Sequence, residues 1–284
     1  MKKDRTPFSL KIARWIFPKM EYLYPSLSTR YFIKIFFSPI RYAAPAAEKE
    51  SEMEADQTVM DIEEKKIQVY RWGRGEKIIL VVHGWAGRAT QFKTFIPALV
   101  SAGYTVVGFD GPAHGKSSGK STNLIEFNIV LRDVAKRMGN PAAIIAHSFG
   151  GVASLYAISQ GLDVNKLINI STPTIGDEII NAYLRILHGS AITARRFNDY
   201  MIKRFHVPFD DFSAVQIVKK IKPGLQLLLV HDEQDKEVIL ANPIALLKVF
   251  PAAEFYKTTG LGHNRILKDE AVITKCVNFI TNQH

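Results

Sequence analysis

Apolar and polar positions alternate in a regular way from about residue 57 onward. The segment "TVMDIEEKKIQVYRW" has two half-apolar runs joined by a polar turn around Glu63–Lys66, which predicts a strand pair. "KIILVVHG", "YTVVGFDG", "AAIIAH" and "KLINIST" are short continuous apolar runs, the pattern of strands buried on both faces. Between them lie "QFKTFIPALVSAG", "NLIEFNIVLRDVAKRMG" and "VASLYAISQG". Each carries apolar residues at helical spacing and closes on a glycine, at Gly103, Gly139 and Gly161. The alternation stops at residues 173–222, which read as mostly helical. It resumes with strands "LQLLLVH" and "AEFYKTT" and a last helix "AVITKCVNFI". Alternating strands and helices predict an α/β fold with a mostly parallel, eight-stranded sheet flanked by helices. The division that follows is a core of 57–172 and 223–284, interrupted by a helical cap at 173–222. In such sheets a site lies beyond the carboxyl ends of the strands.

Charge sets the first 50 residues apart. They hold ten lysines and arginines against four acids, a net +6 out of +10 for the chain, and residues 51–64 then carry acids only. A boundary is expected near Ala43–Glu54, with residues 1–50 forming a basic, aromatic helical extension. Its start resembles a signal peptide, but Lys11, Arg14 and Lys19 interrupt the apolar residues and no small-residue cleavage site follows. Its apolar pieces are too short to span a bilayer. Pro18, Pro25 and Pro39 are expected to cut it into short pieces. Two short helices packed on the main domain are the favoured reading. Peripheral contact with an anionic membrane through residues 1–42 stays open. Nucleic-acid binding is not expected, because no recognition module accompanies the basic residues.

Composition narrows the chemistry. The single cysteine, Cys276, excludes an internal disulfide framework, suits a reducing, cytoplasmic setting and reads as a core residue. No zinc spacing, HExxH pair, P-loop or dinucleotide fingerprint occurs, so neither a metal nor a nucleotide cofactor is expected.

The run "AIIAHSFGG" places Ser148 on a sharp strand-to-helix turn. Serine there is either a helix N-cap or a nucleophile. A nucleophile needs small residues two before and two after it, where strand and helix crowd; Ala146 and Gly150 satisfy that need. It also needs a base, a carboxylate that orients the base, and donors for an oxyanion. "LLLVHDEQDKEV" offers Asp232, Glu233 and Asp235 after a strong strand, with Asp235 favoured, and "YKTTGLGHNRIL" offers His263 in a glycine turn. "VVHGWAGRATQF" is either a simple glycine turn or a loop presenting the Trp85 N–H beside that of Phe149.

Taken in order, "HGWAG", "FDGPAHGKSSG", "AHSFGG", "HDEQDKEV" and "GLGHNRIL" resemble the α/β-hydrolase superfamily across roughly residues 57–284, with 173–222 in the place of the variable cap. The resemblance implies Ser148 as nucleophile, Asp235 as acid, His263 as base, and Trp85 and Phe149 as backbone oxyanion donors, with no cofactor. Ala146 in place of glycine and the long N-terminal segment depart from the pattern. No chemistry is assigned to Asp110 or His114.

The expected activity is serine-dependent cleavage of a carboxylic ester or thioester of a small or lipid-like substrate. An aminopeptidase or amidase of the same fold is the alternative, and eight basic against five acidic residues in the cap count against a free-amine substrate. A non-catalytic binding protein on this fold is the reading from another class. Cap residues such as Ile179, Tyr183, Ile186, Leu187, Phe197 and Phe205 either line an acyl pocket or pack the cap itself.

Overall fold

A computed structural model describes residues 8–282. Eight strands form one sheet: β1 (Asp56–Ile62), β2 (Lys65–Trp72), β3 (Ile78–Val82), β4 (Thr105–Phe109), β5 (Ala143–His147), β6 (Lys166–Ile170), β7 (Gln226–Asp232) and β8 (Glu254–Thr258). Their spatial order is β1-β2-β4-β3-β5-β6-β7-β8. The β1–β2 and β2–β4 pairs are antiparallel and all others parallel, so only β2 runs against the rest.

The buried strands obey a period of two. Leu80, Val82, Ile144, Ala146, Leu227 and Leu229 face one core layer, and Ile79, Val81, Ala143, Ile145, Leu228 and Val230 face the other. Helices close both layers because each of these central strands is apolar on both sides. In chain order the helices are α1 (Phe8–Leu23), α2 (Pro25–Phe36), α3 (Ala46–Met53), α4 (Phe95–Ser101), α5 (Leu124–Met138), α6 (Phe149–Ser159), α7 (Gly176–Leu187), α8 (Ala191–Phe205), α9 (Ala214–Ile217), α10 (Ala241–Val249), α11 (Gly262–Arg265) and α12 (Glu270–Thr281). Helices α5 and α6 cover the first layer, α4 and α12 the second. Asn123 caps α5 by accepting from the Glu126 N–H at 3.0 Å, and Asp269 caps α12 the same way.

Two local expectations change. Residues 91–103 do not form one helix. A 3₁₀ turn at Ala89–Phe92 and the short α4 share the segment, because Phe92 and Phe95 must both reach the second core layer. Pro18 does not break the first helix either. It sits inside α1, and packing of Phe17 against the cap keeps the flanking turns helical despite the missing N–H.

The N-terminal helices build a third apolar cluster with the cap. Phe17, Phe32 and Phe36 pack against Ile180, Leu184 and Phe197 of α7 and α8. Glu21 anchors α1 to the start of α8. Its buried carboxylate accepts from the Thr193 hydroxyl (2.6 Å) and from the Ser190 and Thr193 N–H groups. Burial raises its pKa, but these hydrogen bonds more than offset that, and the carboxyl lies below its ordinary value. Helix α3 is tied down by charge as well: its buried Glu48 faces Arg88 at 3.5 Å and Lys93 at 3.8 Å. At the other end of the cap segment, α9 buries Ala214 and Ile217 in the first core layer beside α6.

Candidate active site

Ser148 sits between β5 and α6 at φ 52°, a conformation that costs a non-glycine residue energy. It occupies the cap position of α6, yet its side chain makes no capping hydrogen bond. The hydroxyl instead lies 3.1 Å from His263 Nε2. The turn is tight enough to dictate its neighbours. A Cβ on Gly150 would lie 2.3 Å from the Val82 carbonyl oxygen, and one on Gly84 would lie 2.9 Å from Ser148 Cβ. Ala146 fits where the resemblance expects glycine, its methyl buried in the first core layer.

His263 Nδ1 lies 2.8 Å from Asp235 Oδ2, so the imidazole N–H on that side donates to the carboxylate. The second oxygen of Asp235 accepts from the Glu237 and Val238 N–H groups, both at 2.9 Å. Burial pushes the Asp235 pKa up, but the His263 hydrogen bond and charge interaction and these two amides outweigh it, leaving the carboxylate below its ordinary value. Asp232, three residues earlier, has other partners. Its oxygens accept from Gln234 N–H, the Thr258 hydroxyl and Leu261 N–H. Asp232 therefore shapes the loop that carries His263, while Asp235 meets the ring.

Trp85 and Phe149 are adjacent, with ring centroids 5.2 Å apart in an edge-to-face pair. Phe149 is the first residue of α6, so its N–H belongs to the unsatisfied first turn, where the helix dipole favours negative charge. Trp85 follows Gly84 in the loop after β3. Asp110 and His114 stand behind the site. Asp110 accepts from Ala89 and Lys116 N–H groups and the Tyr70 hydroxyl, which binds the loop after β4 to its neighbours.

Three buried histidines at the ends of β3, β5 and β7 are a feature that motif reading missed. Each braces one loop of the site. His83 donates through Nδ1 to the Gly84 carbonyl (2.8 Å) and accepts Gly111 N–H at Nε2 (2.9 Å). His147 donates through Nε2 to the His263 carbonyl (2.9 Å). His231 donates to the Val238 carbonyl (2.8 Å), behind Asp235. Burial is the main reason all three are harder to protonate than a free imidazole, with His83 pushed down to about 4 and His147 to about 3. The signal in sequence was a histidine closing each of three apolar strands.

Ser148 and His263 open into a cavity of about 630 Å³, within the range of small-molecule sites. Cap residues Ile179, Tyr183, Ile186 and Phe205 line it, while Ile180, Leu184, Leu187 and Phe197 pack internally, so the cap's apolar residues divide between the two expected roles. The N-terminal segment contributes Arg14, Phe36 and Phe37 to the wall, which sequence reading did not foresee. Charged groups at the cavity are few. They include Glu178, paired with Arg185 at 3.6 Å, and Glu237, whose exposed carboxylate lies 3.9 Å from His263 Nε2.

A family model described as serine aminopeptidase, S33, matches residues 73–227. Among curated proteins, the chain is 29% identical over 147 residues to the dihydrolipoyllysine-residue acetyltransferase component of the acetoin cleaving system of Cupriavidus necator. That match takes in 50% of this chain and spans only 39% of the relative. Among solved structures, an esterase of Pyrococcus furiosus is similar at a TM-score of 0.66 and 18% identity, over 87% of this chain and 97% of that one. The thioesterase domain from the curacin biosynthetic pathway is similar at a TM-score of 0.60 and 16% identity, over 80% and 99%. At such identities these two structures bear on the fold alone.

Proposed function

Because the chain belongs to the serine aminopeptidase S33 family of α/β-hydrolases, we propose that it is a serine hydrolase that cleaves a carboxylic ester or thioester carrying a lipid-like acyl group. The observation that carries this reading is one continuous relay opening into an apolar cavity: Asp235 to His263 at 2.8 Å, His263 to Ser148 at 3.1 Å.

In this reading Ser148 Oγ attacks the carbonyl carbon while His263 Nε2 takes its proton. Asp235 holds the imidazole in the tautomer that leaves Nε2 free and stabilises the imidazolium. The carbonyl oxygen becomes an oxyanion facing the N–H groups of Trp85 and Phe149. When the tetrahedral intermediate collapses, the bond to the leaving alcohol or thiol breaks, and His263 returns the proton to it. Water then repeats the sequence on the acyl-enzyme, releasing the acid and restoring Ser148. The acyl chain lies against Phe36, Phe37, Ile179, Ile186 and Phe205.

One observation favours a second reading. Glu237 places a carboxylate beside His263, as recognition of a substrate amino terminus would require, in keeping with the family's description. The test is a panel of p-nitrophenyl esters of rising chain length, acyl thioesters and amino-acid p-nitroanilides. The ester reading expects kcat/KM to climb with chain length and the anilides to be poor. Preferential cleavage of the anilides, lost in Glu237→Gln, would replace it with the peptidase reading.

A further inference from the structure

Helix α1 has two apolar faces, and only one is used. Phe17 and Met20 turn inward with Glu21 onto the cap. On the opposite side Ile12, Trp15, Ile16, Lys19, Tyr22 and Leu23 are exposed, at spacings of three and four that put them on one stripe. Trp15 is 66% exposed and Tyr22 86%. Helix α2 repeats the arrangement: Phe32 and Phe36 are buried, while Leu27, Arg30, Tyr31 and Lys34 form an exposed stripe. The two stripes adjoin, because Ile12 and Ile16 of α1 and Tyr31 of α2 line one shallow groove. A run of exposed aromatic and aliphatic side chains this long is more than scattered surface apolarity.

The charge on this element is of one sign. Residues 8–42 hold Lys11, Arg14, Lys19, Arg30, Lys34 and Arg41, and the one acid, Glu21, is buried against α8. Lys19 lies over the Trp15 ring at 3.1 Å, so cation and aromatic share the outer surface. We propose that this face of α1 and α2 docks onto an anionic lipid bilayer, lying flat in its interfacial layer. Tryptophan, tyrosine and leucine suit the headgroup–acyl boundary, and lysine and arginine suit the lipid phosphates. No helix among the described residues is long and apolar enough to cross a membrane, so the contact is with one surface. A second copy of this chain is a poorer partner, because a two-fold interface would set these basic residues against their own kind. Docking would also hold α1, which supplies Arg14 to the cavity wall, at the lipid surface.

The test reads binding, so it stands apart from whether the cavity is a hydrolase site. Full-length protein is sedimented with vesicles of phosphatidylcholine alone and of phosphatidylcholine mixed with phosphatidylglycerol, at low and high salt. The expected result is sedimentation with the anionic vesicles, a blue shift of Trp15 emission that Trp15→Phe removes, and release at high salt. Lys19→Gln/Arg30→Gln/Lys34→Gln should weaken partition on the order of a hundredfold, and Trp15→Ser/Leu27→Ser should abolish the residual apolar binding. Failure to bind anionic vesicles would overturn the proposal, as would equal binding to both kinds. So would a dimer broken by Trp15→Ser/Leu27→Ser in a protein that ignores vesicles. Should the variants misfold, the lipid and salt dependence of the unaltered protein decides alone.

Discussion

Acid should unfold this protein well above the carboxylate range, and the cause is specific. His83, His114 and His147 are buried and neutral, with pKa values held down to about 4, 3 and 3, first of all by burial. A second proton has nowhere to go. His83 Nε2 already accepts Gly111 N–H, and His114 Nε2 and His147 Nδ1 are buried with no partner. In the unfolded chain each titrates near its ordinary value of about 6.5. Between that value and the folded one the unfolded state binds more protons, so stability rises with pH across the window and is lost as pH falls through it. At pH 5 each histidine has removed about 2 kcal/mol, and together they set a slope of about 4 kcal/mol per pH unit. Asp110 works the other way, because burial holds its carboxyl above the ordinary value and its folded form gains a proton as pH falls. The assay is urea unfolding at a series of pH values between 7 and 5. His114→Gln should flatten the slope by about 1.4 kcal/mol per pH unit. A slope near zero in the unaltered protein would refute the reasoning, since these rings would then bind protons equally in both states.

Other predictions follow from the same contacts. Asp235→Asn should lower kcat on an active ester by about 10⁴-fold with the melting temperature nearly kept. Asp232→Asn should instead lower stability and loosen the His263 loop, raising its amide hydrogen exchange, because it disturbs acceptors for Thr258 and Leu261. Glu21→Ala should cost about 1–3 kcal/mol in urea unfolding, since it strands the Thr193 hydroxyl and two N–H groups at the start of α8.

Much of the site could be read from the chain because its signals are local. Ser148 needs small neighbours within two residues, His263 follows the last strand between glycine-rich neighbours, and Asp235 follows an apolar strand. The alternating strands also carried the sheet, down to the hairpin turn at Glu63 (φ 51°). What escaped was non-local. The loop-holding role of Asp232 depends on where Leu261 and Thr258 arrive from 26 residues or more away. The bracing role of His147 depends on the His263 carbonyl reaching it across 116 positions. Helix α1 was ambiguous because it is apolar on two sides; its inner side was assigned only by the cap residues Leu184 and Leu187 that meet Phe17 in one cluster. Nothing local to Phe36 and Phe37 indicates that they help wall a cavity whose serine lies over a hundred residues away.

A fluorophosphonate probe reports whether Ser148 is an activated nucleophile. The purified protein should form one covalent adduct, mapped by peptide mass spectrometry to Ser148. Ser148→Ala should take none, and His263→Ala should label very slowly. A folded protein that ignores the probe, or one labelled equally in the Ser148→Ala variant, would mean that Ser148 is not the nucleophile.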